Sequence, residues 1–326
     1  MSVFTPVSPE VLQHWLQNYP VGELLTLEPI LHGVQNSNYR VSTSVGVWIL
    51  TLFEDLSFNQ AHNYLCLMQR LWQQQLPVAE PLLSVQGQIL GNLQGRPAAL
   101  LHFCPGQMQM HPENAHLQAL GVVLAQLHQA MQTWDTAPEH PKNLEWRLKA
   151  AEHLLRSSVV SAEDRHLLHW AQAIDWRQHV AKRHHHSSVI AIHADLFRDN
   201  VLWQGTALSA VLDFYGAGRD LRVFELAVVL NDWCRAANGV LDVDKARVFL
   251  QSYQRVQALT LQELQSLADF LVIAALRFFL SRSLAWQVQA DSERVLRKDP
   301  QEYRTILWQL FTKEYNSLHF ETLMVR

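Results

Sequence analysis

Apolar residues recur along this chain in two rhythms, and the rhythm changes about a third of the way in. Ser8-Pro9 followed by Val11, Leu12, Trp15 and Leu16 predicts a short N-capped helix with proline at its first position. Alternation then takes over. Residues 38–42 and 47–53 flank Val45-Gly46 and predict an antiparallel hairpin. Phe58, Ala61, Leu65, Met68 and Trp72 step by three and four, the signature of an amphipathic helix. Strand-like stretches at 82–85 and 98–103 complete a small sheet within residues 25–103. Beyond Cys104-Pro105-Gly106, Leu117, Leu120, Leu124, Leu127 and Met131 open a mostly helical region, with long helices expected over 221–237, 244–258, 261–290 and 300–314. One interruption breaks it: an apolar run at 189–192, then strand candidates at 201–203 and 207–214 joined by Gly205-Thr206. The pattern therefore predicts an α+β protein, with a sheet-built N-terminal lobe over 1–103 and a helical lobe over 104–326.

Composition agrees with two cores. At about 150 residues per domain, 326 residues that are 48% hydrophobic suffice to fill both. Lys+Arg 26 against Asp+Glu 30 gives a net charge of −4 with no basic stripe, which argues against nucleic acid and anionic membranes as partners. The three cysteines, Cys66, Cys104 and Cys234, are odd in number and far apart, so they build neither a disulfide framework nor a CxxC site. The longest apolar run, 270–276, is far shorter than the roughly twenty residues of a membrane span. The first residues lack the basic and apolar regions of a signal peptide, which leads to the expectation of a cytoplasmic protein. His184-His185-His186 reads as a solvated loop, because three consecutive side chains do not converge on one ion.

The chemistry concentrates in the interruption. His193-Ala-Asp195-Leu-Phe-Arg-Asp-Asn200 is followed, after a hairpin's length, by Leu212-Asp213-Phe214. Protein kinases place a base Asp five residues before a metal-binding Asn on one loop, and a second metal-binding Asp a short hairpin later. The spacing suits phosphoryl transfer, since Asp195 reaches an acceptor hydroxyl, Asn200 turns back as a neutral magnesium ligand, and the strand pair returns Asp213 to the same ion. His193 reads as support for the loop. A rival reading takes His193 and Asp195 as two ligands of an iron facial triad. That site needs a second histidine downstream, and only His319 follows, after a hundred-odd residues of helical pattern. In the N-terminal half, the polar loop holding Gly33, Asn36, Ser37 and Asn38 precedes a strand, where a kinase carries its phosphate-covering loop.

Together with Trp48-Ile-Leu-Thr-Leu-Phe-Glu54, Leu230-Asn-Asp-Trp233, Leu276-Arg-Phe-Phe-Leu-Ser-Arg282 and Lys298-Asp-Pro300, these segments resemble the aminoglycoside-phosphotransferase and choline-kinase superfamily. Within it they resemble most the homoserine kinases of the phosphotransferase-like type. The resemblance spans nearly the whole chain and implies a protein-kinase-like two-lobed fold, ATP and Mg2+ as cofactors, and phosphorylation of L-homoserine to O-phospho-L-homoserine on the way to threonine. It implies Asp195 as base and Asn200 and Asp213 as metal ligands. Gly33, Asn36, Ser37 and Asn38 would cover the nucleotide phosphates, with Arg40 as a cation and Leu101 and Phe103 at an adenine-facing hinge. The strand lysine of protein kinases should fall near Thr51, yet no lysine precedes Lys142; homoserine kinases of this type resemble this chain in having Thr there. For the substrate's carboxylate the resemblance offers Arg277 and Arg282, and for its ammonium Asn231 and Asp232, with Glu225 structural. Two alternatives stand beside it: a kinase for another amino-alcohol or an aminoglycoside, and a non-catalytic nucleotide-binding module.

Overall fold

The computed structural model describes residues 4–31, 36–157, 160–182, 189–287 and 298–324. These divide into two compact units, one ending at Gly106 and the other beginning at Gln107, where the sequence pattern places the break at 103/104.

In the first unit, Ser8 caps α1 (Pro9–Leu16) by accepting the Val11 amide at 3.4 Å. Strands β1 (Leu24–Ile30), β2 (Ser37–Thr43) and β3 (Val47–Leu52) are followed by α2 (Phe58–Gln73), β4 (Gly91–Leu93) and β5 (Arg96–His102). The sheet is antiparallel, in the order β1-β2-β3-β5-β4. Its period of two decides what each face carries. Tyr39 and Val41 of β2, Leu50 and Leu52 of β3 and Leu100 of β5 join Leu12, Trp15 and Leu16 of α1 in one core. Each such Leu contributes roughly 1.5–3 kcal/mol by leaving water. Asn38, Arg40, Thr51 and Leu101 are thereby turned to the opposite face, with Asn38 opposite Thr51 and Ile49 opposite Leu101.

The strand expected at 82–85 does not form, and an edge strand without a pattern of its own is added. β1 is an edge strand with only three half-buried positions and a proline, so it shows no alternation in the sequence. Residues 82–85 run beside β5 without forming a strand, their Leu82 amide reaching the Leu100 carbonyl. The neighbouring strand is β4 instead, joined to β5 through Gln94 and Gly95, both at positive φ, in a two-residue hairpin.

The second unit opens with β6 (Gln107–Met108), α3 (Asn114–Met131), α4 (Leu144–Arg156) and α5 (Ala162–Lys182). Strands β7 (Val189–Ile192), β8 (Val201–Gln204), β9 (Ala207–Val211) and β10 (Gly218–Leu221) follow, and then α6 (Arg222–Trp233), α7 (Val243–Gln254), α8 (Leu261–Gln287), α9 (Gln301–Gln309) and α10 (Phe320–Leu323). β7 pairs with β10, and β8 lies between β6 and β9, all antiparallel. α8 is the hub, touching α4, α5, α6 and α9. By length and composition it is the one described helix able to cross a membrane, but 83% of its apolar window is buried inside the protein, as in a core helix. α3 packs against α7 at Gly121, where a Cβ would lie 2.6 Å from the Phe249 carbonyl. The helix expected over 300–314 becomes α9 followed by a π turn at Leu310–Glu314. The tail of the 261–290 helix, like His184-His185-His186 and Gly33, lies outside the described residues.

Candidate active site

Residues 193–200 leave β7 and fold back on themselves before β8. The turn is locked from both ends. The Asn200 amide Nδ2 donates to the Asp195 backbone oxygen at 2.8 Å and, more loosely, to its carboxylate at 3.3 Å. The Phe197 amide donates to the same backbone oxygen, Asn200 N–H to Phe197 O, and Leu212 N–H to Asn200 O. With Nδ2 directed into the loop, the amide oxygen Oδ1 is the atom left on the other side.

His193 is buried and uses both ring nitrogens. Nδ1 accepts the Asp195 amide at 3.2 Å, and Nε2 donates to the Leu212 carbonyl at 2.7 Å, so the partners assign the proton to Nε2. Neither nitrogen remains for a substrate proton. Ala194 then takes the left-handed conformation, φ 66°, costly for a residue with a Cβ.

What holds it is Glu225, fully buried on α6. Its carboxylate accepts the His193 amide at 3.0 Å, the Ala194 amide at 2.8 Å and His128 Nε2 of α3 at 2.8 Å. His128 Nδ1 in turn meets the Tyr253 hydroxyl of α7 at 2.7 Å. Burial pushes the Glu225 carboxyl up, but the His128 and His193 interactions outweigh it and hold its pKa below the usual range. From the sequence Glu225 has only a generic structural part; no local signal marks a contact made across thirty-odd residues.

Asp213 follows β9 and is also left-handed, φ 62°, which fixes its side chain at the start of a short 3₁₀ turn. The side chain remains open to water. Crowding by the surrounding protein, then the neighbouring Asp195 charge, raise its pKa to about 6. The Asp213 carboxylate and the neutral Asn200 amide oxygen are hard oxygen donors of the kind magnesium takes, with the Asp195 charge close by. One residue earlier in the loop than Asn200, Asp199 Oδ2 lies 2.5 Å from Lys298 Nζ.

The substrate candidates occupy different places. Arg277 of α8 is buried and places Nη1 3.4 Å from Asp195 Oδ1. Arg282 faces elsewhere: its Nη1 is 2.5 Å from Glu302 and 3.1 Å from the Asp299 carbonyl, with the guanidinium over the Tyr303 ring. Asn231 is committed to packing, its Nδ2 donating to Leu271 O of α8 and its Oδ1 accepting two bonds from Arg235. Asp232 takes the Arg198 amide at 2.8 Å and the Arg198 side chain at 3.2 and 3.3 Å, bracing the same loop from behind. In this structure Arg282, Asn231 and Asp232 are engaged by protein partners.

In the first unit the candidates also divide. Ser37 is fully buried on the core side, accepting the Phe4 and Thr5 amides and donating to Glu54, so it anchors the N-terminal segment. Asn36 is buried beside it. Asn38 accepts from Thr51 Oγ1 at 2.8 Å on the opposite face, where the missing lysine would have stood. Arg40 is exposed, 3.7 Å from Glu28 and over the Phe103 ring. Leu101 is buried in β5, and the Phe103 amide already donates to Val47 O.

Residues 26–259 match the phosphotransferase enzyme family. The chain belongs to this family. A homoserine kinase of Methylobacillus glycogenes is 37% identical, covering 94% of this chain and 95% of its own length. One from Agrobacterium fabrum is 33% identical, covering 93% and 94%. Among solved structures, an amicoumacin kinase in complex with AMP-PNP and Ca2+ superposes with a TM-score of 0.72 at 16% identity, covering 96% of both chains. A spectinomycin phosphotransferase follows at 0.66 and 12%, covering 95% of this chain and all of its own. The family fold is thus that of the aminoglycoside phosphotransferases, with an antiparallel N-terminal sheet and a helical C-terminal unit. Family members of this build are small-molecule kinases, and so is this chain.

Proposed function

We propose that the chain transfers the γ-phosphoryl group of ATP to the hydroxyl of L-homoserine, giving O-phospho-L-homoserine and ADP. The observation that carries the substrate is identity above 30% with homoserine kinases along more than nine-tenths of both chains. The chemistry is supported by the locked loop bearing Asp195. In this reading the acceptor oxygen forms its bond to phosphorus as the bond to the ADP oxygen breaks, and the hydroxyl proton passes to the Asp195 carboxylate. Asn200 Oδ1 and Asp213 would hold Mg2+, which when bound would supply charge neutralisation to the nucleotide phosphates. His193 has both nitrogens occupied, so Asp195 is the group able to take the proton. Asn200 fixes Asp195, and Arg198 with Asp232 fixes the turn between them, so the site works by positioning.

A coupled ADP-release assay with magnesium ATP against L-homoserine, L-serine, choline, ethanolamine and kanamycin tests the substrate. A response confined to homoserine is expected; a stronger response to any other acceptor contradicts the assignment.

Asp213 yields a prediction of opposite sign for stability and activity. Its folded pKa lies above the ordinary 3.8, so its charge destabilises the metal-free fold above about pH 6, and that penalty disappears as pH falls toward 4. Asp213→Asn, which also suits a left-handed backbone, should raise the melting temperature of the metal-free protein at pH 8 and not at pH 4. Magnesium-dependent turnover should be lost in the same variant. A lower melting temperature at pH 8 would contradict the like-charge account.

A further inference from the structure

Lys142, the first lysine in the chain, precedes α4 and no sequence pattern marks it. Its Nζ donates to Ser281 Oγ at 3.2 Å and lies over the Trp146 ring, 5.2 Å from the centroid. Ser281 in turn donates to the Arg277 carbonyl, so the lysine ends one turn of α8 away from Arg277. Among the described residues it makes no ion pair with a carboxylate. Arg277 has few polar partners: its contact with Asp195 is long at 3.4 Å, its guanidinium lies over the Phe278 ring, and among the described residues its buried Nε has no hydrogen-bond partner. A buried donor left unmade costs on the order of 1–3 kcal/mol. The neighbouring Arg147 is another cation with no acceptor to offer; it is paired with Asp175 at 2.6 and 2.7 Å and donates to the Lys142 carbonyl at 2.9 Å.

Two cations share this place with one carboxylate. Burial and then Arg277 pull the Lys142 pKa down to about 8, while Asp195 opposes them. Among the described residues, Asp195 is the carboxylate that both cations face.

We propose that Lys142 and Arg277 together seat the α-carboxylate of the acceptor, Lys142 through its ammonium and Arg277 through its guanidinium, and so hold the acceptor hydroxyl at Asp195. This rests on the homoserine reading and sharpens it: the site takes a primary alcohol bearing a carboxylate, and the carboxylate is what it recognises first. Lys142 acts on binding and leaves the phosphoryl-transfer step to Asp195.

The test pairs Lys142→Met and Lys142→Arg with two acceptors, L-homoserine and 3-aminopropan-1-ol, the same molecule without its carboxylate. For the wild type, homoserine should be the far better substrate. In Lys142→Met the KM for homoserine should rise about 10- to 100-fold, the value of a charge-assisted hydrogen bond, with kcat and the KM for ATP within about threefold. Lys142→Arg should recover part of the loss, and the preference over 3-aminopropan-1-ol should shrink by the same factor in Lys142→Met. Lys142 is half-exposed, and unchanged melting curves will establish folding; Lys142→Gln serves if Met proves insoluble. A wild type active on homoserine with an unchanged KM in Lys142→Met overturns this inference alone. A wild type inactive on homoserine overturns the homoserine reading and this inference with it.

Discussion

Asp195→Asn should fold, bind magnesium ATP as the wild type does, and lose at least about 10²-fold in turnover, the scale of a positioned proton acceptor. The substitution is nearly isosteric, and the strongest bond fixing the loop runs from Asn200 to the residue's backbone oxygen at 2.8 Å, which the variant keeps. The long contact to Arg277 at 3.4 Å is the main interaction forfeited. His193 cannot substitute, since Nδ1 is tied to the Asp195 amide and Nε2 to the Leu212 carbonyl. Steady-state kinetics with homoserine, beside a nucleotide-binding titration, separates the two effects. A variant that binds nucleotide normally and turns over within tenfold of the wild type would show that the proton leaves by another route.

Glu225→Ala should produce the largest loss of stability, about 3–5 kcal/mol, because it removes one charge from a buried network and leaves its partners exposed to each other. Three donors lose their acceptor: the amides of His193 and Ala194 and the Nε2 of His128. Ala194 also loses what keeps it left-handed, so the loop carrying Asp195 should relax and turnover fall along with the melting temperature. Glu225→Gln retains one acceptor oxygen and should lose less. The pH dependence has a definite sign. A carboxyl whose folded pKa lies below its ordinary 4.5 contributes stability that is present above that value and lost as pH falls through the folded pKa. The difference in unfolding free energy between wild type and Glu225→Ala should therefore be largest near neutrality and shrink below pH 4.5. Urea melts at pH 7 and pH 4 measure it; equal stabilities at pH 7 would contradict the network.

The loop is legible because its geometry closes over a short stretch: Asn200 comes five positions after Asp195, and a hairpin separates both from Asp213. Long-range partners are not. Glu225 reaches back across α6 to the loop, and Lys142 arrives from before α4, contacts that no spacing rule encodes. Arg277 and Arg282 looked equivalent in one apolar helix, but at about 100° per residue they lie some 140° apart. Only the first can face Asp195, and Arg282 pairs with Glu302. Asn36-Ser37-Asn38 reads in the sequence as one polar loop. The strand begins at Ser37 itself, and the alternation sends that side chain to the core side and Asn38 to the other. In the sheet, β1 leaves no mark on the sequence, since an edge strand with mostly exposed positions has no apolar face.

The central claim is that this site joins the terminal phosphate of ATP to the homoserine hydroxyl. Phosphorus NMR of the wild-type protein with L-homoserine and magnesium ATP follows that bond directly. A growing phosphomonoester resonance matching O-phospho-L-homoserine, in step with ADP and absent with Asp195→Asn, is the predicted result. ATP that stays intact, or decays to inorganic phosphate without a new ester, would contradict it.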